Sequence, residues 1–159
     1  MRTVGAQASL PAVRGHPARI FPGFRNVMTQ ATRILIVTDR DDQLGATHQA
    51  LARSDFETVA DPNFAEAYTR LLNSKFDLIV IESTQPARDS IEFIKRVRAT
   101  PRLTGILILI VAEWGTGEPT LALSAGADAY EPTETEPIDP TRLVTSIERL
   151  LHRQVAAAN

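Results

Sequence analysis

The stretch DLIVIESTQPARDSIEFIKRVRA, Asp77–Ala99, decides the fold. With the phenylalanine before it, FDLIVI (76–81) is an apolar run without polar alternation, the mark of a strand buried on both faces, as parallel sheets require. A polar loop with Pro86 follows, and SIEFIKRVRAT (90–100) then changes to helical spacing until Pro101 stops it. The run closes on a carboxylate, Glu82, placed where the strand meets the loop. Whether that carboxylate is reactive or retired is the functional question.

The same strand–helix unit recurs to either side. RILIV (33–37) precedes DDQLGATHQALARS (41–54), with Leu44, Thr47, His48 and Leu51 on one helical face. FETVA (56–60) is a short strand. DPNFAEAYTRLLNS (61–74) opens on Asp61 and Pro62 as helix-start signals and places Phe64, Ala67, Tyr68 and Leu71 together. GILILIV (105–111) is the most apolar strand and is expected at the centre. PTLALSAGA (119–127) reads as a short helix capped by Gly126, and DAY (128–130) as a brief fifth strand. PTRLVTSIERLLHRQVAAA (140–158) carries Leu143, Val144, Ile147, Leu150 and Leu151 on one stripe. Five alternating units predict an α/β, doubly wound (βα)5 domain with a five-stranded parallel sheet and right-handed crossovers. Its ligand site is expected beyond the carboxyl ends of the strands.

At 159 residues the chain suits one domain that needs no metal or disulfide for stability. Hydrophobic residues at 43% and charged residues at 23% are ordinary for a globular protein, and no apolar run approaches a membrane span of about 20 residues. The absence of cysteine excludes thiolate sites, and a cytoplasmic protein with no membrane partner is the expectation. Residues 1–30 hold Arg2, Arg14, Arg19 and Arg25 with no acid, leaving 13 basic against 19 acidic residues, net −6, for the rest. That acidity argues against a nucleic-acid partner. Residues 1–31 read as an unstructured leader, a transit peptide or, the favoured reading, a mis-assigned start with the true one at Met28; residues 32–155 form the domain.

Acids gather after the strands: Asp39, Asp41 and Asp42, then Glu82, Glu113, and Glu131 to Glu136. Hard cations such as Mg²⁺ favour such oxygen clusters, although loops are often acidic. From Arg33 to about Arg153 the sequence resembles the receiver domain of two-component response regulators, of flavodoxin-like fold. ILIVTDRD resembles the first strand with its acidic pair, and DLIVIESTQPARDSIEFIKRVRA the phosphoacceptor strand, loop and third helix. ALSAGADAY resembles the family's Ala-x-Ala-Gly-Ala-x-x-Tyr, 13 residues from Glu113 to Gly126 without a gap, and EPIDPTRLVTSIERLL the turn into the last helix.

The resemblance implies a set of parts for phosphoryl transfer, which works by positioning and charge neutralisation. Residue by residue, this chain departs from them. Glu82 stands at the phosphoacceptor position, one methylene longer than the usual Asp; a misplacement of about 1 Å can cost on the order of 10²-fold in rate. Thr38 replaces the first acid of the pair and Asp39 remains. Val111 replaces the hydroxyl after the fourth strand and has no donor. The family's lysine falls at Thr133 or Glu136, depending on the direction of counting, and the chain's only lysines are Lys75 and Lys95. Tyr130 occupies the aromatic switch position.

These departures predict a degenerate pseudo-receiver, not phosphorylated by the standard mechanism and with no cofactor. Glu82 would then be a permanent charge, paired with Arg40 or Arg88 in place of a cation. As a stand-alone module it would signal through a protein partner, a histidine kinase or a downstream effector, docked on the face of the fourth helix, fifth strand and last helix. A homodimer through that face is a further expectation. One alternative is an unusual receiver that binds Mg²⁺ weakly at Asp39 and Glu82 and is still phosphorylated. The other, a small flavodoxin-like enzyme, has little support: no phosphate-cradling or nucleophile motif occurs, and His16, His48 and His152 do not converge, so the expectation is no catalysis.

Overall fold

The structure, a computed structural model, describes residues 31–38, 44–83, 88–113, 119–133 and 139–158, all within the compact unit Ala31–Asn159. Asp39, Arg40, Glu136 and residues 1–30 of the leader lie outside the described residues. Five strands alternate with five helices: β1 (Arg33–Thr38), α1 (Leu44–Ala52), β2 (Glu57–Asp61), α2 (Phe64–Asn73), β3 (Leu78–Ser83), α3 (Arg88–Ala99), β4 (Leu107–Glu113), α4 (Pro119–Ala125), β5 (Ala129–Thr133) and α5 (Pro140–Ala157). All pairings are parallel and the strand order is β2-β1-β3-β4-β5, the doubly wound arrangement expected.

Strand periodicity of two sorts the side chains into two cores. Leu35, Val37, Ile79, Ile81, Ile108 and Ile110 meet Ala67 and Leu71 of α2, Phe93, Ile94 and Val97 of α3, and Ala122 of α4. The alternate positions, among them Ile34, Ile36, Leu78, Val80, Leu107 and Leu109, meet Leu51 of α1 and Leu143, Ile147 and Leu150 of α5. β1, β3 and β4 are therefore apolar on both faces. Each fully buried Leu or Ile contributes about 1.5–3 kcal/mol of transfer free energy.

Three expectations are corrected. β3 and β4 run two residues beyond their apolar cores, so Glu82 lies within β3 and not after it; the ladder to β1 and β4 continues through Glu82, and pairing defines the strand. β5 extends to Thr133 and includes Pro132, tolerated because β5 is an edge strand. α2 does not start on Asp61 and Pro62. Asn63 is its N-cap, its Oδ1 accepting from Glu66 N at 2.8 Å, while Asp61 ends β2 and takes a bidentate pair from Arg70 at 2.7 and 2.9 Å. Gly126 does cap α4, at φ +122°. Among the described residues no helix is long and apolar enough to cross a membrane.

Candidate functional site

Register builds the site. Thr38 of β1 lies opposite Glu82 of β3, Glu82 opposite Val111 of β4, and Val111 opposite Glu131 of β5. The row shares the parity of Ile36, Val80 and Leu109, so its side chains project onto the face covered by α1 and α5. It crosses the β1/β3 junction, where the winding of the sheet reverses and doubly wound folds place their ligands. Thr38, Glu82 and Val111 are 1%, 6% and 4% exposed. The structure thus brings together three of the residues read as a site from the sequence.

It gives Glu82 a partner that sequence reasoning missed. Thr47, 1% exposed in α1, donates its hydroxyl to Glu82 Oε1. Burying a carboxylate among apolar strands requires a donor, and here a hydroxyl of the covering helix supplies one. The signal was present: a hydroxyl within the apolar stripe of Leu44, Thr47, His48 and Leu51 has to find a bond. Arg88, expected in a loop near Glu82, is the first residue of α3 and is exposed. Arg40 is not among the described residues.

A second carboxylate in the row is held in a similar way. Glu131 Oε2 accepts from Ser146 Oγ of α5 at 2.7 Å, and Arg142 Nε, in the first turns of α5, donates to Oε1. Asp139 caps that helix, accepting from Thr141 N at 3.0 Å, with Pro140 in its first turn. Thr133, one of the two positions where the family's lysine falls, ends β5 opposite Glu113 and is half-buried. The histidines are apart: His48 Nδ1 bonds Thr58 Oγ1 at 3.1 Å between α1 and β2, and His152 is exposed on α5.

Tyr130 points to the other face, half-buried against the core under α4, and burial pushes its phenol pKa above the usual value. The folded state therefore holds the phenolic proton more tightly than the unfolded chain. Stability from this group is complete below the unfolded value of about 10 and is lost as pH rises through the higher folded value. A tyrosinate absorbance titration of wild type minus Tyr130→Phe is expected to place this ring's ionisation above the free-tyrosine range; a midpoint at or below that range contradicts the burial.

The described donors do not fit Mg²⁺, which asks for carboxylates and waters in octahedral array. Thr38 offers an alcohol where the family has an acid, and one oxygen of Glu82 is taken by Thr47. Among the described residues no three His, Cys, Asp or Glu side chains gather into a metal site.

No family model matches the chain. It is 30% identical over 131 residues to protein PetR of Rhodobacter capsulatus, covering 80% of this chain and 52% of PetR. It is 29% identical over 126 residues to the alkaline phosphatase synthesis transcriptional regulatory protein PhoP of Bacillus subtilis, covering 79% and 51%. The chain thus spans about half the length of these relatives. A solved CheY-like response regulator receiver domain protein from Methanospirillum hungatei superposes with a TM-score of 0.69 at 26% identity, covering 80% of this chain and 99% of that one. Fold and relatives define a receiver domain of flavodoxin-like architecture. Its family is that of the response regulators of two-component signalling.

Proposed function

We propose that this receiver domain works by protein–protein interaction, with Glu82 as a permanent charge and not as a phosphoacceptor. The observation that carries the reading is the Glu82–Thr47 hydrogen bond within a row whose flanking positions are Thr38 and Val111. Phosphoryl transfer depends on charge neutralisation and donors at the reacting oxygens. Val111 supplies no donor, Thr38 no anion, and Glu82 is committed to a helix. The partner is a signalling protein, a histidine kinase or a downstream effector, docking on α4, β5 and α5. There Leu121 and Leu123 are 52% and 47% exposed, a larger apolar exposure than a short surface helix needs.

Incubating the full chain with acetyl phosphate and Mg²⁺, followed by intact-mass measurement, tests this. No phosphoryl gain is expected. A gain that disappears in Glu82→Gln overturns the reading.

A further inference from the structure

We propose that the groove between α2 and α3 docks a helix of a partner protein, one that carries an acid and a base two turns apart with apolar side chains between them. This surface is separate from α4, β5 and α5, and the proposal does not depend on how Glu82 is read.

The groove has a volume of about 550 Å³. Phe64 and Phe93 line it with ring centroids 5.1 Å apart, and the small side chains of Ala65 and Ala99 let another backbone approach. Its charges are ordered along α3: Asp89 and Glu92 come first, Lys95 and Arg96 after them. Asp89 and Arg96 stand roughly 10 Å apart along the axis, at about 1.5 Å per residue. That order also suits the helix dipole, but the dipole does not account for the way Arg96 is held. Its guanidinium carbon lies over the Tyr68 ring, 3.8 Å from the centroid, and the Tyr68 hydroxyl is bonded to Thr100 Oγ1 at 2.8 Å. Among the described residues the guanidinium donates no hydrogen bond. A stacked arginine keeps its planar fork of donors in place, so an arriving carboxylate meets a receptor that has little freedom left to lose. Lys95 and Glu92, both exposed, are 3.9 Å apart, a pair weak enough to yield to a partner's charges. The complement is thereby specified: a carboxylate for Arg96, a cation for Asp89 and Glu92, and leucine-sized side chains over the two rings. Of the described helices only α3 has an acid and a base seven residues apart, and the large apolar side chains between them, Ile91, Phe93 and Ile94, pack into the core. The occupant is therefore a separate protein and not a second copy of this chain.

The probe is a synthetic helical peptide with a glutamate and a lysine two turns apart and leucines on the same face between them. Titrated into the ¹⁵N-labelled full chain, it is expected to shift the amides of Phe64, Ala65 and Glu92 to Ala99 saturably and to leave those of α5 unmoved. Fluorescence anisotropy of the labelled peptide is expected to show binding weakened roughly tenfold or more in Arg96→Met, which keeps the stem over Tyr68 and removes the donors, and weakened less in Arg96→Lys. Arg96→Glu is expected to lose this peptide and to bind instead a version whose glutamate is replaced by lysine. Arg96 is exposed, and circular dichroism checks that each variant is folded before it is compared. Silence of the wild type overturns the proposal. So does equal binding of both peptides by wild type and variants, which would mean apolar adhesion alone, and so do shifts confined to α4, β5 and α5, which would put docking on that face. Self-association of the wild type in sedimentation, lost in Arg96→Met, would put a second copy in the groove and overturns it as well.

Discussion

Arg98→Ala is expected to lower the unfolding free energy by about 3–5 kcal/mol, the range for breaking a largely buried charged network. From the last turn of α3, Arg98 Nε donates to Gly126 O at 2.8 Å and Nη1 to Thr104 O and Ile106 O at 3.1 and 2.7 Å. Nη2 reaches Asp128 Oδ2 at 2.7 Å, and that oxygen also accepts from Ile108 N at 2.8 Å. One side chain, 22% exposed, therefore ties α3 to the approach to β4 and to the α4–β5 turn. Its loss leaves three carbonyls and the Asp128 carboxylate without their charged donor. A lysine cannot reproduce the fork, so Arg98→Lys is expected to recover less than half of the loss. Urea unfolding followed by circular dichroism measures both. A loss under 1 kcal/mol would show that water replaces the guanidinium at little cost. The network lies at the amino ends of β4 and β5, opposite the row of Thr38, Glu82 and Val111, so a destabilised variant remains a fair control for experiments on the row.

The uneven legibility of this protein in its sequence has physical causes. β1, β3 and β4 are buried on both faces, and such runs announce themselves. α5 carries its stripe over eighteen residues, long enough for periodicity to be plain. Strand ends were harder to read because a ladder continues through polar residues wherever neighbours pair, as it does through Glu82 and Ser83. The start of α2 was misread because Asp61 resembles a cap, and only the fold shows that its carboxylate belongs to Arg70. Within the site, Thr38, Glu82 and Val111 were named through the resemblance to the family's motifs, and the parallel register places them in one row. Thr47 was not, because its bond spans 35 residues and two layers. Sequence shows that a buried hydroxyl needs a partner but not which one. Charge complementarity favoured Arg40 or Arg88; Arg88 opens α3 and is exposed, and Arg40 lies outside the described residues.

One of the motifs that carry the family resemblance, ALSAGADAY, yields the second large effect. Gly126→Ala is expected to destabilise by about 2–4 kcal/mol, from two separable causes. The residue sits at φ +122°, a region that L side chains rarely adopt, for a cost of about 1–3 kcal/mol. A Cβ there would also come within 2.6 Å of Arg98 Cγ. A flexible side chain could yield, but Arg98 is pinned by its four bonds and can move only by giving some of them up. The two substitutions must therefore interact. With Arg98 truncated to alanine the clash disappears and the conformational cost remains, so Gly126→Ala is expected to cost about 1 kcal/mol or more less in the Arg98→Ala background than in wild type. A double-mutant cycle from urea unfolding of the four proteins reads this coupling. Additivity within error would mean that the glycine is required for its backbone alone and that the approach of Arg98 is incidental. The sign matters beyond stability, because Gly126 sets the turn from which Asp128, Ala129 and Tyr130 enter β5. If the coupling is found, the glycine of the motif is the residue through which α3 fixes where the aromatic ring of β5 stands. The face of α4, β5 and α5 is then positioned by the scaffold at the far end of the sheet, without any chemistry at Glu82.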